Sequence, residues 1–89
     1  MPASSERTAV LPGEVALHAR PAGAFVKDAA RFQSSIAVAA NGKRANAKSI
    51  LEVLGLGATG GTELTLSASG DDAAEAVDHL ATLVTELAE

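Results

Sequence analysis

The chain has 89 residues, enough for one domain around a single hydrophobic core. Aromatic residues make up only 2% of it, so that core must be built from Leu, Val, Ile and two Phe. The formal net charge of −4 argues against non-specific nucleic-acid binding, which requires clustered Lys and Arg. There is no Cys and no apolar stretch near the ~20 residues of a membrane span. We therefore expect a soluble, cytoplasmic protein whose single domain spans residues 1–89.

The first half of the chain predicts a strand, a helix and a hairpin. Residues 6–11, "ERTAVL", alternate apolar and polar side chains, which indicates a strand that ends at "PGE". A helix is expected to start between His18 and Pro21 and to reach Ala29, because apolar residues recur at i, i+3, i+4 and i+7 from Ala22. The stretch "SSIAVAANGKRAN" predicts a β-hairpin, since Asn-Gly suits a two-residue turn.

The second half predicts a short helix, a strand and a longer helix. Ser49 is expected to cap the short helix, which would end at Gly55 in a left-handed conformation. Residues 62–69, "TELTLSAS", alternate as a strand does. Asp72 and Glu75 resemble a capping pair that opens the last helix. The apolar residues of that helix recur every three or four positions: Ala73, Val77, Leu80, Val84 and Leu87.

The predicted order βαββαβα favours an α+β fold with helices packed on one face of an antiparallel or mixed sheet. The stretch "GLGATG" at residues 55–60 matches a nucleotide-binding pattern, but it follows a helix and precedes a strand. We interpret it as a helix end that runs into a glycine loop. His79 lies beside the apolar stripe of the last helix and is expected to be solvated. His18 and His79 are the only histidines, so we predict no metal site.

His18 and Arg20 lie where the first helix is predicted to start. A helix N-terminus already has partial positive charge, so two basic side chains there are unfavourable unless an anion binds. From spacing alone, His18 is either a helix-capping or core histidine, or a nucleophile. The positive surroundings favour the neutral imidazole over the cation, and a neutral imidazole can accept a phosphoryl group.

A phosphoryl group on His18 would be anionic, and its surroundings would then favour it. The backbone N–H groups of Ala19 and Arg20, the helix dipole and the Arg20 guanidinium all attract an anion. The dipole contributes about 0.3 to 1 kcal/mol, and each charge-assisted hydrogen bond contributes about 1.5 to 3 kcal/mol. So few donors leave the group available to a partner, which favours phosphoryl transfer over storage.

Six motifs, spread over nearly the whole chain, are shared with one known family. They are "LHARPA" at residues 17–22, "FVKDA" at 25–29, "NGK" at 41–43, "AKSI" at 47–50, "LGLGATGG" at 54–61 and "LSASGDDAAEAV" at 66–77. With these motifs the chain resembles the HPr family, the histidine-containing phosphocarriers of the bacterial phosphoenolpyruvate-dependent sugar phosphotransferase system. The resemblance implies an open-faced β-sandwich, three helices on a four-stranded antiparallel sheet in the order 1-4-2-3.

The resemblance also implies a function and its residues. Enzyme I, which draws the group from phosphoenolpyruvate, would phosphorylate His18 at Nδ1, with Arg20 assisting the phosphate, and IIA domains of sugar permeases would receive it. The protein would act as a phosphoryl carrier and substrate of other enzymes, without a cofactor. In some bacteria a dedicated kinase phosphorylates the serine that matches Ser49; without the family, Ser49 is interpreted as a helix cap.

An apolar docking surface is the last implication of the resemblance. Leu51 and Leu54 match its positions, with Lys27 and Lys48 at the rim, although periodicity alone would equally place the two leucines in the core. We expect a monomer, since no second large apolar surface is evident in the sequence. The alternative function is a regulatory or nitrogen-related phosphorelay module of the same fold.

Overall fold

The structure is a computed structural model that describes residues 3–13, 15–17 and 19–87. Four strands and three helices follow one another in the predicted order βαββαβα. In chain order they are β1 (Ser4–Val10), α1 (Ala19–Ala29), β2 (Ser35–Ala40), β3 (Lys43–Asn46), α2 (Ile50–Leu54), β4 (Glu63–Ser69) and α3 (Ala73–Glu86).

The strands form one antiparallel sheet in the order β1-β4-β2-β3. This order confirms the one that the family resemblance implies. Strands β2 and β3 are joined by Asn41 and Gly42, whose φ angles of 55° and 76° are both positive, as a tight two-residue hairpin turn requires. Strand β1 covers Ser4–Val10 rather than the predicted residues 6–11, because its pairing with β4 extends to Ser69.

Alternation along the strands places the core on one side of the sheet. In β4, Leu64, Leu66 and Ala68 are buried, whereas the residues between them are half-buried. Strand β2 alternates in the same way, and its Val38 is completely buried. The apolar faces of α1 and α3, which include Phe25, complete the same core. The chain thus has the predicted α+β architecture, an open-faced sandwich with helices on one face.

The end of α2 differs from the prediction. Gly55 has φ −67° and ψ −13°, so it is right-handed rather than left-handed. Its N–H still donates to the Leu51 carbonyl, and the chain then tightens into bonds from Leu56 N to Val53 O and from Gly57 N to Leu54 O. The left-handed residue is therefore Gly57, with φ 64°. These two bonds, each between residues three positions apart, form one tighter turn before the chain leaves the helix axis.

The predicted capping pair at the start of α3 is wrong. Asp72 is the residue that precedes the helix, but its side chain makes no capping hydrogen bond. Its carboxylate instead accepts from the backbone N–H groups of Gln33 and Ser34 and from the Ser34 hydroxyl, at 2.9, 2.9 and 2.5 Å. Ser34 is 2% exposed, so a charge-assisted hydrogen bond to Asp72 satisfies a buried hydroxyl. These bonds lower the pKa of Asp72, the one to the Ser34 hydroxyl most.

His79, which is expected to be solvated, is half-buried: 38% of its side chain is exposed, and the ring has two neighbours. Its Nε2 lies 2.8 Å from Oδ2 of Asp28 in α1, and its ring centroid lies 5.5 Å from that of Phe32. The contact joins α3 to the end of α1.

Within the described ranges, no helix is long and apolar enough to cross a membrane.

Candidate functional site at the start of α1

Helix α1 begins at Ala19, the residue directly after His18, within the predicted limits. His18 itself lies outside the described residues. Arg20 is helical although it precedes Pro21, a position where proline usually disfavours helical angles. Pro21 lies in the first turn, where its missing N–H breaks no helical bond, and it is buried.

The first turn of α1 offers donors and positive charge to an anion. The opening N–H groups of a helix, here those of Ala19 and Arg20, have no acceptor within the helix itself. The first turn contains no acidic side chain. Arg20 is exposed, so its guanidinium can meet a group presented by another protein. Donors, dipole and guanidinium together suit a phosphoryl group at this end of the helix.

The backbone just before His18 is held in place. Leu17 is buried, and its N–H donates to the Ala58 carbonyl at 2.9 Å. Ala58 belongs to the glycine loop that follows α2 and is also buried. The sequence of this loop predicts only a helix end that runs into a glycine loop. No local pattern could show that it supports the segment that precedes the histidine.

Ser49 is the N-cap of α2, as predicted. Its Oγ accepts from the Glu52 N–H at 3.4 Å. Glu52 in turn accepts from the Asn46 N–H at 3.0 Å, which joins α2 to the end of β3. Lys48, the residue before the cap, donates from Nζ to the Phe32 carbonyl at 2.7 Å. This bond places the start of α2 beside the end of α1 and anchors Lys48, whereas Lys27 of α1 is exposed.

The apolar residues of α2 divide between the core and the surface. Val53 is completely buried, and Leu54 is partly buried against the core. Leu51, in contrast, is 79% exposed, so the core alternative fails for this residue. The neighbouring Ile50, which no sequence pattern distinguishes, is 38% exposed. Ile50 and Leu51 thus form a small exposed apolar surface on this short helix.

The described part of the chain, residues 3–13, 15–17 and 19–87, has no group of three or more metal-ligating side chains. A family model described as "PTS HPr component phosphorylation site" matches residues 5–86.

Curated relatives agree with this match. The phosphocarrier protein HPr of Vibrio cholerae is 45% identical over 82 residues, which are 92% of this chain and 96% of the relative. That of Buchnera aphidicola from Acyrthosiphon pisum is 48% identical over 80% of this chain and 84% of its own length. The HPr-like protein Crh of Bacillus subtilis is 47% identical over 79% of this chain and 82% of its own length.

Solved structures share the fold. The phosphocarrier protein HPr of Bacillus anthracis superposes with a TM-score of 0.88 at 36% identity, covering 93% of this chain and 99% of that one. An HPr of Thermoanaerobacter tengcongensis gives a TM-score of 0.85 at 42% identity, covering 90% of each chain. Motifs, helix start, family model and relatives agree that the chain belongs to the HPr family, the phosphocarrier proteins of the phosphotransferase system.

Proposed function

We propose that the protein accepts a phosphoryl group on His18 from enzyme I and passes it to IIA domains of sugar permeases. The observation that carries the proposal is that α1 begins directly after His18, with the exposed Arg20 in its first turn. Membership of the HPr family supports the same role. The protein would be a stoichiometric carrier, whose product is its own phosphorylated form.

The transfer requires a neutral imidazole and a stabilised product. The lone pair of His18 Nδ1 attacks phosphorus, the Nδ1–P bond forms, and the bond between phosphorus and the donor atom of enzyme I breaks. The electron pair of the broken bond stays with the donor. The helix N–H groups and the Arg20 guanidinium stabilise the phosphoryl oxygens. The same steps run in reverse when a IIA domain accepts the group.

Incubation with phosphoenolpyruvate and enzyme I tests the site. The protein should gain the mass of one phosphoryl group, and the modification should be labile in acid. His18→Ala should abolish the gain, whereas His79→Gln should retain it, because His79 contacts Asp28 in the last turn of α1, at the opposite end of the helix from Ala19. A phosphoryl group that persists in His18→Ala would refute the assignment.

Arg20→Ala tests the role of the guanidinium. Loss of one charge-assisted hydrogen bond of about 1.5 to 3 kcal/mol predicts a rate of transfer that is lower by a factor of about 10 to 150. Arg20 is exposed, so the free energy of unfolding should change by less than about 0.5 kcal/mol. Stopped-flow transfer and urea unfolding measure the two effects. A normal transfer rate would mean that the helix N–H groups suffice.

The remaining assignments are part of the same proposal. Leu51 and Leu54 would contact enzyme I and IIA domains, with Lys27 and Lys48 at the rim of that surface. Ser49 would accept a regulatory phosphate from a serine kinase, which would strengthen the cap and bring negative charge beside Leu51.

The described residues share one core, which supports a single HPr-like domain. A monomer in the cytoplasm is the remaining part of the proposal. The alternative, a regulatory or nitrogen-related phosphorelay module, retains the same fold. His18 distinguishes a carrier from a purely regulatory module, because a regulatory module does not need to pass on a phosphoryl group.

A further inference from the structure

We propose that the glycine loop, residues 55–62, is a positioning element for the phosphoryl-accepting histidine, and that Gly60 is its positioning residue. The proposal rests on the proposed function of His18. It concerns the contact between this loop and the lead-in segment, by which we mean residues 11–13 and 15–17, the described residues that precede His18.

Main-chain hydrogen bonds join the two segments at both ends. Leu11 exchanges bonds with the loop: its N–H donates to the Thr62 carbonyl at 3.0 Å, and its carbonyl accepts from the Gly61 N–H at 3.0 Å. At the other end, Leu17 N–H donates to the Ala58 carbonyl at 2.9 Å. Leu11, Leu17 and Ala58 are each at most 2% exposed, so these bonds are shielded from water.

Between these anchors, Gly60 lies directly against the backbone carbonyl groups of Pro12 and Gly13. A Cβ atom on Gly60 would be 2.8 Å from the Pro12 carbonyl oxygen and closer still to the Gly13 carbonyl group. These partners are backbone atoms, which cannot move aside as a flexible side chain can. Only glycine permits this approach.

A shift of the Pro12 carbonyl group would be transmitted along the chain towards His18. The Pro12 carbonyl accepts from the Val15 N–H at 3.1 Å, which closes a turn. Val15 is 5% exposed and packs in the same core as Leu17. Displacement of the Pro12 carbonyl therefore moves the buried Val15, which lies three residues before His18.

The loop itself is firm enough to act as a support. Residues 59–62 form a turn in which Thr62 N–H donates to the Thr59 carbonyl at 2.9 Å, and Gly61 has the positive φ of 85° that a type II turn requires. Thr62 Oγ1 accepts from the Thr59 N–H at 3.2 Å. Asn41 of the hairpin donates from Nδ2 to the Leu56 carbonyl at 3.2 Å.

Gly60→Ala tests the proposal, with Gly13→Ala as its matched control. Both changes add one methyl group to the same contact region, but a Cβ on Gly13 meets no atom within 4 Å. For phosphorylation by enzyme I, Gly60→Ala should lower kcat at least tenfold and leave KM within about twofold, because misplacing a reacting group by ~1 Å is costly while the exposed α2 surface is untouched. Gly13→Ala should change both constants less than twofold.

Two NMR readouts separate positioning from a general loss of stability. In Gly60→Ala at a fixed pH, the C2-proton resonance of the His18 ring should shift, while that of the His79 ring on α3 serves as the internal reference and stays in place. The Leu17 amide should exchange with solvent faster than in Gly13→Ala. A merely structural role would alter both histidine resonances alike, or neither.

Every outcome decides the proposal. Equal kcat values and equal His18 resonances in folded Gly60→Ala and Gly13→Ala would overturn it. Should Gly60→Ala not fold, Thr62→Val decides by the same readouts, because it removes only the acceptor for the Thr59 N–H and should still accelerate Leu17 exchange. If the unaltered protein gains no phosphoryl group on His18, the proposed function fails, while the resonances and the exchange rate still judge the positioning role.

Discussion

Helices α2 and α3 both pack against α1, yet they use their apolar residues in opposite ways. In α3, six of fourteen residues are buried, and all six, from Ala73 to Val84, belong to the core that packs against the sheet. In α2, only Val53 of five residues is buried, while Ile50 and Leu51 face solvent. Apolar side chains that do not contribute to the core are available to a partner. The buried residues of α3 contribute mainly to stability, whereas we propose that the exposed residues of α2 contribute mainly to docking.

The capping residues of the two helices differ in the same sense. Ser49 serves its own helix, because its Oγ accepts from Glu52 three residues later. Asp72 serves a distant segment, since its carboxylate accepts from Gln33 and Ser34 beyond the end of α1. A change at Asp72 should therefore loosen the contact between α3 and the α1 side of the molecule. A change at Ser49 should stay local to α2.

Leu80→Ala should have the largest effect on stability. Leu80 is completely buried in the middle of α3, so truncation leaves a cavity that costs about 2 to 5 kcal/mol. Urea unfolding at pH 7 measures the loss, and the transfer rate per folded molecule should stay within about twofold. A loss of transfer without a loss of stability would reverse the roles that the comparison gives to the two helices.

Asp72→Asn should destabilise the protein in a pH-dependent way. Hydrogen bonds from the Ser34 hydroxyl and the Gln33 and Ser34 N–H groups hold the pKa of Asp72 below its usual value. Its stabilising effect is therefore fully present above about pH 4, the ordinary range of the unfolded carboxyl group, and disappears as the pH falls through the lower folded pKa. In Asp72→Asn the side-chain NH₂ group, itself a hydrogen-bond donor, would face N–H or O–H donors, so at least one of these donors would lose its acceptor.

Thermal unfolding of Asp72→Asn from pH 7 to pH 2 tests this effect. The melting temperature should lie below that of the unaltered protein at pH 7, and the two curves should converge in acid. A constant difference at every pH would show that the carboxylate charge is unimportant.

Leu51→Asp should slow phosphoryl transfer about tenfold, because loss of an apolar hot spot lowers the binding free energy of an interface by more than about 1 kcal/mol. Stability should change by less than about 0.5 kcal/mol, since Leu51 is 79% exposed. Val10→Asp is the matched control: Val10 is 50% exposed but lies on β1. Equal rates for the two variants would remove Leu51 from the docking surface.

Ser49→Asp should have the smallest effect, a severalfold slower phosphorylation of His18 by enzyme I. Aspartate and asparagine are both good N-caps, so Ser49→Asn retains the cap without the charge. Only Ser49→Asp should slow the transfer, and both variants should keep the circular dichroism spectrum of the unaltered protein. Identical kinetics in the two variants would separate Ser49 from regulation by charge.

The sequence by itself determined those features that depend on neighbouring residues. The hairpin at Asn41-Gly42, the cap at Ser49 and the stripe of α3 each follow from local angles, local hydrogen bonds or helical periodicity. The start of α1 between His18 and Pro21 belongs to the same group. With the shared motifs, these features were enough to predict the fold and the family.

Only the tertiary structure decided the features that join distant segments. The partners of Asp72 lie 38 and 39 residues away, and Asp28 lies 51 residues from His79, so no local pattern encodes either contact. In a helix of five residues, periodicity could not tell that Leu51 is exposed while Val53 is buried. The approach of Gly60 to Pro12 and Gly13 likewise depends on where β1 ends and β4 begins in the sheet. Local physics sets the angles of each segment, whereas packing sets which segments meet.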